Sequence, residues 1–470
     1  MARLFIFAIG GTGSRVLRSL TMLMACGVRM ECEEVVPIII DPDQANGNLT
    51  DTVGLLNKYI AVRSSLSFQD NNKSDFFRTD LTQTLPNFTL QILKTNNMAF
   101  GDFIGLNTMS GPNQAMMRML YSDSNLDADL KHGFTGNPNM GSVVLNQITS
   151  GKSLEDFANS FAQGDRIFII SSIFGGTGAS GFPLLVKTLR TNTTLPNAAL
   201  LNTAPIGALT ILPYFKVKPD GKSRIDSDTF ISKAKAALAY YDENIAQQNY
   251  LESFYFLGDD AMQAAYDNSD GGVKQTNPAH LIEFLSATAI VDFANTNFPP
   301  VAKRQTVYRE LGIDDPGTGN AINFHHLFPA LHNMLYRPMV SFTMMVNALF
   351  DQRSLMESDK LAANAAFPNF YSSDFYQALR AFMEEYGQWM EELKANSPSL
   401  DLVDLHCGGT PFNLLPDVKK PRRVASLLSN YDLLMSRLNA AERHLGVKDK
   451  PTRFMEMYAQ GCDKMIDEKF

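Results

Sequence analysis

Two glycine-rich segments of nearly identical wording carry the most readable chemistry in this chain of 470 residues. One is Ala8-Ile9-Gly10-Gly11-Thr12-Gly13-Ser14, and the other is Phe174-Gly175-Gly176-Thr177-Gly178-Ala179-Ser180-Gly181. A glycine loop lets successive backbone N–H groups converge on an anion, because no Cβ blocks close approach. A helix opening just after the loop adds unpaired N–H groups and the positive end of its dipole. A third such stretch, Gly133-Phe134-Thr135-Gly136-Asn137-Pro138-Asn139-Met140-Gly141, lies between them. Any one loop has a bland reading, a tight strand–helix junction that uses glycine only for packing. Three together imply a polyphosphate held from several sides, and hence a nucleotide.

Two other groups invite chemistry. Asp41-Pro42-Asp43 closes an apolar run, where a carboxylate can reach a ribose or a Mg²⁺-bound water. A turn that caps the next segment is the competing reading. His325, His326 and His332 have no cysteine partner and no HExxH spacing, so no resident metal site is expected from them.

Each loop needs a strand to deliver it and a helix to receive it. Apolar runs at residues 4–9, 35–40, 166–171, 208–215 and 254–257 read as strands. Helical spacing over residues 14–26, 184–189 and 231–241 separates them. Near-continuous apolar strands alternating with helices predict an α/β fold, a parallel sheet covered on both faces. Residues 50–130 are more polar and mixed, and they read as a helical insertion over the sheet. Beyond Pro299-Pro300 the apolar positions fall at helical spacing over 375–393, 424–445 and 452–466, so residues 301–470 read as a mostly helical region.

Composition narrows the function classes. A net charge of −8 without a dense Lys/Arg stripe argues against nucleic acid as a partner. No run of roughly eighteen apolar residues occurs, so no membrane span is expected. The cysteines Cys26, Cys32, Cys407 and Cys462 are scattered without CxxC spacing, which suits reduced thiols in a cytoplasmic protein.

Taken in order, the loops resemble those of the tubulin/FtsZ superfamily of GTP-binding, filament-forming proteins. The segment at residues 175–181 is similar to the superfamily signature GGGTG[ST]G, with Pro183 where bacterial members also have proline. Residues 133–141 resemble its γ-phosphate loop, GxGAGxNPxxG, and residues 8–15 its GxGGxGxN. Phe254-Tyr255-Phe256-Leu257-Gly258-Asp259-Asp260 stands where the family has a strand ending in Pro-Asn-Asp, before a long central helix, here at about 278–295. The resemblance covers residues 1–300 less the insertion.

It implies a Rossmann-like GTPase domain that binds GTP or GDP with Mg²⁺ and associates head to tail into filaments. The nucleotide-binding residues it implies are Gly10, Gly11, Thr12, Gly13, Arg15, Asp41, Gly133, Thr135, Gly136, Asn137, Gly175, Gly176, Thr177 and Gly178, with Asp259 and Asp260 toward guanine. Three departures stand out. Arg15 replaces an asparagine that touches guanine, and could stack on a base or grip a phosphate. Phe174 replaces the first signature glycine. No NxDxxD motif follows the central helix to supply the acid that hydrolysis needs. Val291-Asp292-Phe293-Ala294-Asn295 echoes it but falls within the helix, leaving Glu310, Asp314 and Asp315 as substitutes. The chain is therefore expected to be a GTPase completed at a subunit contact. The alternative is a nucleotide-gated scaffold that does not polymerise and docks a protein partner through its helical C-terminal region. A dinucleotide enzyme is disfavoured, since Val16 occupies the third glycine position of GxGxxG.

Overall fold

Apolar strands with no polar face must be buried on both sides, and the chain meets that demand with one parallel sheet. The computed structural model describes residues 2–469 apart from 69–73, 94, 96, 97, 135, 219–228, 260, 261, 268–270, 300–304, 310, 318, 352–368, 407–413 and 416–429. The strands, in chain order, are β1 (Arg3–Ile9), β2 (Glu34–Ile40), β3 (Asp80–Leu81), β4 (Arg166–Ser172), β5 (Ile206–Ile211), β6 (Phe215–Val217), β7 (Ser253–Leu257), β8 (Ala264–Tyr266) and β9 (Val307–Arg309). The main sheet has seven strands in the order β3-β2-β1-β4-β5-β7-β9, and every pair is parallel. β6 and β8 pair separately as a small parallel ribbon. In β1, residues 4–9 are all buried, as a strand covered on both faces requires.

The helices that concern the argument are α1 (Gly10–Ala25), α2 (Gly47–Arg63), α3 (Pro138–Leu145), α4 (Gly176–Thr191), α5 (Phe230–Tyr241), α6 (Leu281–Ala294), α7 (Pro329–Asp351), α8 (Asp374–Ala395), α9 (Asn430–Glu442) and α10 (Lys450–Lys469). Helix α6 is buried at every position except Asp292, so it is a core helix rather than an amphipathic one. A capping box opens it: His280 Nδ1 accepts from the Ile282 N–H, and Glu283 accepts from the His280 N–H. Helix α4 carries Pro183 in its interior, which removes a donor to the Ala179 carbonyl. The buried Tyr241 hydroxyl donates to that carbonyl at 3.1 Å and restores the balance.

Three sequence readings change. The strand expected over 208–215 ends at Ile211, and after Pro213 the chain leaves the sheet to form β6. Within the stretch read as an insertion, residues 80–81 pair with β2 as the outermost strand, and α2 packs against α1. Beyond residue 300 the chain still contributes β9 to the sheet before turning helical.

The helical C-terminal part is fastened to the α1/α2 side. Trp389 of α8 is fully buried beside Phe284 and donates to Ser19 Oγ at 3.3 Å. Arg18 pairs with Glu392 at 2.6 Å, and Lys58 with Glu385 at 2.5 Å. Among the described residues, no helix is long and apolar enough to cross a membrane.

Candidate functional site

β1 has β2 on one side and β4 on the other, so the strand order reverses there. At such a switch point the loops leaving the carboxyl ends of the strands diverge and open a crevice. A cleft of about 600 Å³ lies there. Gly10, Gly11 and Thr12 enter it from the end of β1, Asp41 and Asp43 from the end of β2, and residues 174–178 from the end of β4. Gly133, Phe134 and Gly136 close it from the segment that leads into α3.

The three glycine loops touch one another. Gly10 has a φ of +73°, and a Cβ built on it would stand 3.5 Å from Thr177 Cβ. A Cβ on Gly176 would meet Phe134 Cβ at 2.9 Å and the backbone nitrogens of Asn137 and Gly136 at 3.2 and 3.3 Å. Backbone can approach this closely only without side chains. N–H-rich backbone from three separate loops thus surrounds one space, and α1 and α4 both begin at it.

Not every residue singled out from the sequence faces that space. Gly13 does not line the cleft, because its Cβ position lies 2.7 Å from the Ala8 carbonyl carbon, where α1 packs on β1. Asn137 caps α3, accepting from the Asn139 and Met140 N–H groups at 3.1 and 3.3 Å. Asp259 does not line the cleft. Thr135, Asp260 and Glu310 lie outside the described residues. Asp314 and Asp315 are absent from the wall, the Asp314 N–H donating to the His326 carbonyl and Asp315 accepting from Gly317.

Arg15 borders the cleft but is already engaged. Its Nε donates to Glu283 at 2.5 Å and its Nη2 to the Tyr214 hydroxyl at 2.7 Å, all three groups being buried. Burial alone would lower its pKa, but the charge and hydrogen bond of Glu283, with Tyr214, more than offset this and keep the guanidinium charged. The arginine therefore ties the first glycine loop to α6. Its Nη1 remains beside Gly11, 3.8 Å from that residue's Cβ position.

Asp41 is 4% exposed, and burial pushes its pKa up to about 7; the Asp43 N–H bond lowers it and the Asp43 charge adds to the rise. Asp43 accepts from the Gly272 N–H at 2.6 Å and from the Ala45 N–H at 3.2 Å. On the far side of the cleft, Phe174, Phe215, Phe230 and Tyr266 form an aromatic wall, with Phe174–Phe230 centroids 4.9 Å apart and Phe215–Tyr266 at 5.1 Å. Phe174, the residue that departs from the signature, anchors this wall.

Sequence reasoning missed one component. Residues 271–278 run along the start of α2 as a strap, and Lys274, Gln275, Thr276, Asn277 and Pro278 line the cleft. The strap is bound to the start of α2: the Gly47 N–H donates to Gly272 O at 3.2 Å, and the Asn48 N–H to Gln275 O at 3.0 Å. The Asn46-Gly47-Asn48 run was its one visible signal, and it reads locally as no more than a helix cap.

Neither a family model nor a curated protein matches the chain. Among solved structures it is similar to CetZ from Methanosaeta thermophila strain DSM 6194, at 14% identity and a TM-score of 0.31 over 64% of this chain and 57% of that one. It is also similar to CetZ2 from Haloferax volcanii in a GTPγS-bound protofilament, at 15% identity and a TM-score of 0.31 over 63% and 58%. The chain thus spans less than two thirds of the length of either protein. Likeness at this level carries no weight for function, which has to be argued from the cleft.

Proposed function

We propose that the chain is a tubulin/FtsZ-type protein that binds GTP in the cleft at the β1/β4 switch point, and that its nucleotide state controls head-to-tail self-association. The observation that carries this is the meeting of three glycine loops around one space at two helix N-termini. Backbone N–H groups of residues 10–12 and 175–178 hold the α- and β-phosphates, while those of residues 133 and 136 face the γ-phosphate. Mg²⁺ suits the donor set. Asp41 is a buried carboxylate whose raised pKa marks the lack of a cationic neighbour, and Mg²⁺ binds through one or two carboxylates plus phosphate oxygens. When bound, the ion supplies charge neutralisation at the phosphates.

Self-association has a geometric rationale. Helix α6 begins beside the cleft and ends at the amino ends of the strands, where Arg166, the first residue of β4, donates to the carbonyls of Ala294 and Thr296 at 2.7 and 3.0 Å. A residue near that far end would face the cleft of the next subunit in a head-to-tail stack, a heterologous contact that does not close. Asp292 sits near that end, still within the helix; the acids proposed from the sequence for hydrolysis are Glu310, Asp314 and Asp315.

One observation favours the second reading, a scaffold that binds nucleotide without turning it over. Oδ2 of Asp292 is already engaged within its own subunit, accepting from the Tyr255 hydroxyl at 2.6 Å and from Arg309 at 2.9 Å. Phosphate release from Mg-GTP, measured across a wide range of protein concentration alongside sedimentation, separates the two. A per-subunit rate that climbs with concentration, together with pelleting, supports a site completed by a neighbour. Binding without turnover at any concentration supports the scaffold.

A further inference from the structure

We infer that the lobe formed by residues 98–130 is a sideways docking element, which pairs with the same lobe of a second copy of this chain. The contact adds to the head-to-tail association proposed above, and rests on that reading for its strength.

The lobe closes on itself. At its neck Ala99 and Asp129 form an antiparallel bridge. The Phe100 N–H donates to the Ala128 carbonyl at 2.9 Å, and the Leu130 N–H to the Met98 carbonyl at 3.0 Å. Phe100, Leu106, Leu126, Ala128 and Leu130 are buried. The chain then passes directly from Leu130 into the third glycine loop.

The outer helix of the lobe, Gly111–Leu120, has no buried residue. Gln114, Met117 and the C-cap residue Tyr121 are half-buried and share its inner side, as their helical spacing requires. Gln114 Nε2 donates to the Met109 carbonyl at 3.0 Å, and the Tyr121 ring lies 4.9 Å from that of Phe100. The other side carries Met116, Met119 and Leu120, which are 50%, 87% and 63% exposed. A surface helix normally turns its apolar stripe toward the core. This one turns it outward. Among the described residues, no other helix exposes three large apolar side chains on one face.

The stripe is its own best complement. Arg118, the one charged residue of the helix, pairs with Asp123 at 2.9 Å, so two copies of the patch meet without like-charge repulsion. Apolar side chains on both sides then make a contact in which one patch serves both copies. Flexible thioethers let the two stripes conform to each other. The three side chains expose roughly 350 Å² per copy, well short of the ~800 Å² per partner of a stable interface. A single pair of lobes is therefore transient. Two head-to-tail stacks lying side by side would engage many pairs at once, each raising the effective concentration of the next.

The test uses the full chain carrying Met116→Asp with Met119→Asp, which puts carboxylates where the side chains already meet water, and a separate Met119→Cys variant. With Mg-GTP, electron microscopy is expected to show paired or bundled filaments for the wild type and single filaments for the double variant. GTP affinity of the double variant is expected to stay within about twofold of the wild type. Under mild oxidation Met119→Cys is expected to give a covalent dimer that adding Met116→Asp suppresses, because only two lobes facing each other can form it. Double-variant filaments as wide as those of the wild type would overturn the inference. So would a Met119→Cys protein that yields no more dimer than the wild type. If the wild type binds Mg-GTP but forms no filaments, the head-to-tail reading fails, and the cross-link at high protein concentration decides the lobe contact by itself.

Discussion

The twin glycine loops share their wording and divide their work. The glycines that close each Gly-Gly-Thr-Gly share a packing job: Gly13 lets α1 pack on β1, and Gly178, which also lines the cleft, lets α4 pack on β4, its Cβ position lying 2.5 Å from the Ser172 carbonyl oxygen. Their middle glycines differ. Gly176 is backed by the backbone of the third loop, whereas Gly11 is backed by side chains, the amides of Asn46 and Asn48 and the guanidinium of Arg15. The second loop therefore builds an enclosure of N–H groups. The first ties the cleft to α6 through Arg15 and Glu283, and α1 to α8 through Arg18 and Glu392. A motif dictates its own turn and packing; the chemistry at that turn comes from whatever the fold sets against it.

Substitutions should break this comparison in graded ways. The largest effect belongs to the shared packing position. Gly178→Val places carbon against backbone that cannot yield, and should cost about 3 kcal/mol or more in chemical denaturation, enough to threaten folding. Next is the tie peculiar to the first loop. Arg15→Ala leaves Glu283 charged and buried, and should destabilise the protein by about 3–5 kcal/mol. Pairing it with Glu283→Gln should recover a large part of that loss, which a merely steric role for Arg15 would not allow.

Asp41 gives the pH dependence. Between pH 3.8 and about 7 the folded chain keeps a proton that the unfolded chain has released. Apo stability should therefore fall as pH rises through that window, by at most on the order of 4 kcal/mol. Denaturation curves of Asp41→Asn should lose this slope, and curves that keep it would place its origin elsewhere.

The smallest effects compare the middle glycines directly. Gly176→Ala presses on the third loop and should weaken GTP binding about tenfold, while Gly11→Ala meets only contacts of 3.4 Å or more and should change it less than about threefold. Equal losses, measured by calorimetry, would mean that the loops are not differentiated.

What the sequence disclosed follows the range of the interactions involved. The loops, their strands and the central helix were legible because glycine spacing and apolar runs are local; the helix expected at 278–295 forms over Leu281–Ala294. The strap was not legible. Asn46 and Gln275 stand 229 positions apart, and nothing near either residue announces the other. Arg15 lines the cleft, but its partner Glu283, 268 positions away, was not legible from the sequence. The break of the strand expected over 208–215 was open to reading, since Pro213 lacks the N–H that a central strand must supply. Asp259, singled out for its place at the end of β7, does not line the cleft.

The central claim, that three glycine loops form one nucleotide site, is tested most directly by equilibrium binding of Mg-GTP to the wild-type chain and to Gly176→Val. The account predicts saturable binding at one site per chain, weakened by about a hundredfold or more in the variant, with a far-ultraviolet spectrum and cooperative unfolding like those of the wild type. Unchanged affinity in a folded Gly176→Val protein would contradict it.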